Sequence, residues 1–165
     1  MNEIEWVKNF LQYPDLDECK IINIYRFTLI WNLFETKCCN KDAKISKVSE
    51  YLENTELNFS SQIILKVWKH FKTRYVKNND ISDSFNSFEF KNDSIKESVK
   101  TILKKENPTL SEKLDSLLKI CFRLRNNLYH GEKAVEKLYQ QNKNFEMANT
   151  FLMELIEVKT NRRIN

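Results

Sequence analysis

The chain has 165 residues and a mass of 19.9 kDa, with 41% hydrophobic and 30% charged residues and a formal net charge of +4. That is enough chain for one core, too little for two comfortable domains, and too apolar for a disordered protein. One glycine and two prolines leave almost no residues for hairpin turns or phosphate-cradling loops, which argues for helices and against P-loop or dinucleotide fingerprints.

The first segment, "IEWVKNFLQY", places Ile4, Val7, Phe10 and Leu11 at helical spacing and stops at Pro14. Asp15 with Glu18 three residues on has the form of a capping box, so a second helix starts at once. From Ile21 to Phe34, "IINIYRFTLIWNLF" is apolar on nearly every side, which predicts the buried centre of a bundle. After the polar "NKDAK", the segment "ISKVSEYL" predicts a shorter helix with Ile45, Val48, Tyr51 and Leu52 on one face. The next helix starts near Ser60 and carries Ile63, Ile64, Val67, Trp68, Phe71 and Tyr75. Residues 78–92 are rich in Asn, Ser and Asp with interspersed phenylalanines, the pattern of an ordered loop with a short helical turn whose aromatics are tacked to the body.

"DSIKESVKTILKK" is amphipathic through Ile95, Val99 and Ile102 or Leu103. "ENPTLSEKLDSLL" gives a helix start, with Asn107 as cap, Pro108 at the first helical position and Thr109 with Glu112 as a second capping box. From about Lys133 to Arg162 the in-phase Ala134, Leu138, Phe145, Ala148, Leu152 and Leu155 predict one long C-terminal helix. The expected fold is therefore all-α: a single-domain helical bundle spanning 1–165, up-and-down in type, with neighbouring helices roughly antiparallel.

No apolar run reaches membrane-spanning length, and the N-terminus lacks the basic start and apolar stretch of a signal peptide, so a cytoplasmic protein is expected. Cysteines 19, 38, 39 and 121 have no C-x-x-C spacing, and His70 and His130 lie far apart in sequence. Free thiols are therefore expected, and no metal site and no cofactor.

The informative window is "CFRLRNNLYHG", residues 121 to 131. On a wheel of roughly 100° per residue, Leu114, Leu117, Leu118, Cys121 and Leu128 share a face with Arg125 in its middle. A guanidinium on an apolar stripe must find an anion, face a wet cleft or lie at an interface, because its charge is not titrated away. In a continuing helix His130 would point roughly 140° from Arg125. Gly131, as the residue that ends the helix, frees His130 to swing toward the same cleft.

"RNNLYHG" resembles the signature of the HEPN domain family: an arginine, a polar residue directly after it, and a histidine a few positions on, here Arg125, Asn126 and His130. The upstream "RFTLIWNLFE" is similar to the first core helix of such domains, with Trp31 and Phe34 in the aromatic positions. The resemblance implies metal-independent RNA cleavage by a homodimer whose two Arg/His pairs face one another. His130 would then act as general acid or base and Arg125 would hold the scissile phosphate. Asn126 would orient the phosphate or the histidine, and Tyr129 would line the cleft or stack on a base. On the same grounds a toxin or antiphage role is expected, with an antitoxin or defence-system protein as a further partner. A toxin subgroup carries a modifiable tyrosine two residues after the histidine; Glu132 stands there in this chain, so that regulation is not expected. The alternative is a non-catalytic HEPN module that binds a nucleotide or a protein; a third reading is a plain helical adaptor.

One further feature is "KVWKHFKTRYVK", where Lys66, Lys69, His70 and Lys77 fall near one side of a helix whose other side is aromatic. That side is either a solvated basic face or a track for the RNA backbone, with Lys66 and Lys69 as substrate contacts.

Overall fold

The computed structural model describes residues 1–12, 18–44, 59–88, 90, 92–129 and 140–162. They form an all-α bundle with one two-stranded hairpin. The elements are α1 (Glu3–Leu11), α2 (Glu18–Cys38), α3 (Ser61–Tyr75), β1 (Val76–Lys77), β2 (Asp80–Ile81), α4 (Asp83–Asn86), α5 (Asp93–Lys104), α6 (Leu110–Tyr129) and α7 (Asn142–Thr160). The expected helix through Ile45, Val48, Tyr51 and Leu52 lies outside the described residues, as do Pro14, Asp15, Ala134 and Leu138.

Local chemistry sets most of the helix starts. Asn2 caps α1 in a reciprocal box with Glu5, each side chain accepting the other's backbone N–H at 2.8 and 3.0 Å. The side chains of Ser60 and Asn92 cap α3 and α5 by accepting from Ile63 and Ile95. Before α6, Thr109 and Glu112 close the box read from sequence: the Glu112 carboxylate accepts from the Thr109 N–H at 2.7 Å and Thr109 Oγ1 from the Glu112 N–H at 3.2 Å. Because that pair satisfies the first orphan donors, the helix begins at Leu110, and Pro108 precedes it instead of occupying its first position.

The hub of the bundle is α7. Its start meets the start of α2, where the Asn142 side chain bridges the Cys19 carbonyl and the Asn23 N–H. Further along, Phe145 meets Phe27 edge-on at 5.0 Å, and toward the far ends Lys159 acts on Cys38. Against the antiparallel expectation, these two helices therefore run parallel, and they share the largest contact in the fold. By contrast, α3 is antiparallel to α7, because Ser60 at its start meets Glu154 while His70 further on meets Asn144. An antiparallel pair is also formed by α5 and α6, tied by Lys105 to Glu112 at one end and Ser98 to Lys119 further along.

Three expectations change in detail. Although α2 buries Ile21, Ile24, Phe27, Trp31 and Phe34, it leaves Tyr25, Leu29 and Leu33 exposed, so it is covered on one side and not all round. A hairpin forms without glycine, since Asn78 and Asn79 both take positive φ, 51° and 62°, the pair of left-handed residues that a tight twisted turn requires. And α7 starts only at Asn142, after a turn at residues 140 and 141, so it does not run unbroken from Lys133. The short helix expected in the Asn-rich loop is α4, and its Phe85 and the following Phe88 are buried around Tyr75.

Removing Phe27, which has no exposed surface and touches Trp31 and Phe145, opens a cavity at the α2/α7 seam. Phe27→Ala is expected to cost about 3–5 kcal/mol in urea unfolding. Leu29→Ala, two residues on and 70% exposed, is expected to change stability by less than about 0.5 kcal/mol.

Candidate functional site

The last turns of α6 carry the candidate site. Its stripe of Leu114, Leu117, Leu118 and Cys121 is buried, and the cover continues over Leu124. Beyond that the bundle stops covering the stripe: Arg125 and Leu128 are half-buried and Tyr129 is exposed. Arg125 thus sits where an apolar face emerges toward solvent.

Its guanidinium is held by two neighbours. Arg125 Nη1 donates to Asn126 Oδ1 at 3.1 Å, and the guanidinium carbon lies 5.1 Å from the centre of the Tyr129 ring, a cation–π contact. No carboxylate pairs with Arg125 among the described residues, and its buried Nε has no hydrogen-bond partner. Of the five donors of the fork, one is used among the described residues. Asn126 and Tyr129 therefore both touch Arg125, so Asn126 orients the arginine directly. His130 and Gly131 lie outside the described residues, and with them the turn expected to bring the histidine to this cleft.

Two residues of the same helix were not singled out from sequence. Arg123, on the wheel opposite the leucine stripe, is only 4% exposed. The reason is α5, which covers that side: Phe90, Asn92 and Ile95 enclose a cavity of about 60 Å³ against Lys119, Phe122, Arg123 and Asn126. The signal was the amphipathic face of α5, which needed a partner helix. Asn127 is 2% exposed, and neither its amide oxygen nor its amide nitrogen has a partner among the described residues. A buried amide left so costs about 1–3 kcal/mol.

Lys66 and Lys69 are exposed on α3 and line a second feature, an open cleft of about 580 Å³ between α3, the hairpin, α4 and the start of α7. His70, Arg74, Lys77 and Lys143 join them there. The structure thus gathers Lys66 and Lys69 in one place and Arg125, Asn126 and Tyr129 in another.

The cysteines are free thiols, Cys19 at the surface and the others partly or fully buried. Burial pushes the Cys38 thiol up to about 11 and Cys39 up to about 12, and raises Cys121 further, which makes these three poor nucleophiles at neutral pH. Among the described residues no group of three or more His, Cys, Asp or Glu side chains is arranged to hold a metal ion, and no helix is long and apolar enough to cross a membrane.

Desolvation lowers the pKa of half-buried His70, with Arg74 and Lys143 adding to the effect and the Asn144 hydrogen bond and Glu146 opposing it. In the neutral form Nε2–H donates to Asn144 Oδ1 at 2.9 Å. The unfolded chain therefore takes up this proton first as pH falls. The contribution to stability is complete above the ordinary histidine value of 6.5 and is lost as pH drops below it. Wild-type protein is expected to lose more stability between pH 7.5 and pH 5.5 than His70→Gln, read as urea midpoints; parallel profiles would assign the loss to other groups.

No family model, curated protein or solved structure matches the chain.

Proposed function

We propose that the chain is a metal-independent endoribonuclease of the HEPN type, acting as a homodimer with Arg125 and His130 as its catalytic residues. The observation that carries this reading is the state of Arg125: a half-buried guanidinium at a helix end, steadied by Asn126 and Tyr129, with no anion of its own among the described residues. A permanently charged fork placed so is short of a counter-ion, and a phosphodiester supplies one with matching geometry.

The chemistry asks little more of the protein. The 2′-hydroxyl of the RNA attacks the adjacent phosphorus while a base takes its proton. The bond to the 5′-oxygen breaks, and an acid returns a proton to that oxygen, leaving a 2′,3′-cyclic phosphate and a free 5′-hydroxyl. His130 serves the proton transfers, the role an imidazole side chain fills in general acid–base catalysis. Arg125 binds the non-bridging oxygens, more tightly as charge builds on them in the transition state. Asn126 fixes the direction of the fork, and the exposed Tyr129 ring offers one face to Arg125 and its edge or other face to a base. A second protomer completes the site, and a toxin or antiphage setting, with an antitoxin or defence partner, follows from the same resemblance.

Purified protein incubated with mixed RNA in EDTA is expected to yield fragments ending in cyclic phosphate. Arg125→Ala and His130→Ala are each expected to lower the rate at least about 100-fold. Arg125→Lys is expected to recover little, because a point charge does not replace the fork. Intact RNA with folded, dimeric wild-type protein would refute the reading, and cleavage surviving in both alanine variants would assign the activity elsewhere.

A further inference from the structure

The basic cleft, open at the surface, has a composition that packing of the core does not require. Lys66 and Lys69 from α3, Arg74 at the end of α3 and Lys77 from β1 make no ion pair among the described residues. Lys143 from α7 is offset by Glu146 at 2.7 Å. The hydroxyls of Thr73 and Ser84 lie in the same lining. Four cations that no described carboxylate offsets repel one another in one concavity, and a cleft walled by one sign of charge concentrates anions.

The arrangement also says which kind of anion. From Lys66 to Arg74 the cations are strung over about 12 Å of helix axis, and Lys77 extends the row into β1, which makes it longer than the triphosphate of a nucleotide. Apart from the half-buried imidazole of His70, no ring among the described residues lines the cleft, so they offer no platform for stacking a base. A compact phosphate ligand would engage about half of the cations and leave the rest uncovered. A chain of phosphodiesters reaches all of them.

We propose that this cleft is a backbone track for RNA, in which Lys66, Lys69, Arg74 and Lys77 each engage a phosphate and the Thr73 and Ser84 hydroxyls add hydrogen bonds, without reading the bases. The choice of RNA over another phosphodiester rests on the nuclease reading; the charge geometry does not. The cleft captures and aligns substrate, and the chemistry belongs to α6.

Binding is tested on the full chain carrying Arg125→Ala, so that RNA stays whole, with a fluorescein-labelled 20-nucleotide RNA of mixed sequence between 50 and 200 mM KCl. Adding Lys66→Gln and Lys69→Gln removes two phosphate contacts. Each contact on a single strand contributes about 0.7 to the log–log salt slope, so the weakening caused by salt over that range is expected to shrink about sevenfold. Lys8→Gln with Lys41→Gln, the same loss of charge elsewhere, is expected to leave the slope unchanged, and 1 mM ATP to displace little RNA. Equal slopes in the two double variants, no RNA binding at 50 mM salt, or displacement of the RNA by ATP would each overturn the track, the last in favour of a nucleotide site. A wild type that never cuts RNA would remove the nuclease reading and leave this binding result standing.

Discussion

The fold depends on a few polar side chains buried on α7. Asn144, Asn149 and Glu154 are at most 4% exposed in a helix otherwise lined by Phe145, Met147, Phe151, Leu152 and Leu155. Each has found a partner on another helix: Asn144 the imidazole of His70, Asn149 the Asn23 carbonyl, Glu154 the Ser60 N–H. Apolar packing alone tolerates a slip along the helix axis, whereas a slip here would strand three buried polar groups at once. The Glu154 carboxylate also lies at the positive end of α3, where the helix dipole favours it. These contacts hold α2 parallel and α3 antiparallel to the same hub, and everything else is placed against that frame.

The candidate site follows from how α6 is covered. One side of the helix faces the bundle and another faces α5, so most of its circumference is buried, including Arg123. The cover ends before the helix does. Arg125, in phase with the leucines, therefore emerges half-buried, in the place where a cation is partly stripped of water yet still open to a ligand. Beside it Asn127 is buried with no partner for its amide among the described residues. The last turn of α6 thus carries polarity that the described residues do not satisfy, which runs against stability and is common where a surface is shaped for binding.

Much of this was legible in the sequence. Capping residues at Thr109 and Glu112, and the apolar periodicity of α3, α5 and α6, are local signals, and local signals survive folding. The window from Arg125 to Tyr129 stood out because a charge interrupts a stripe, and the structure places Arg125, Asn126 and Tyr129 in direct contact. What was not legible depended on tertiary partners. The burial of Arg123 needs α5 to be folded against its side of α6, and the exposed Tyr25, Leu29 and Leu33 show that an apolar helix need not be enclosed. The asparagine turn was missed because glycine scarcity was read as turn scarcity, although Asn78 and Asn79 reach the left-handed region without it. The basic cleft joins Lys77 to a lysine 66 residues further along the chain, Lys143, which no helical wheel shows.

The central claim is that Arg125 serves a ligand and not the fold. It is tested most directly by measuring urea unfolding and solution mass of Arg125→Ala beside wild type. The account predicts two dimers of equal mass whose stabilities differ by less than about 0.5 kcal/mol, because the half-buried side chain still meets solvent and pairs with no carboxylate among the described residues. A loss of more than about 2 kcal/mol, or a monomer in place of the dimer, would make Arg125 a structural or interface residue and contradict the account.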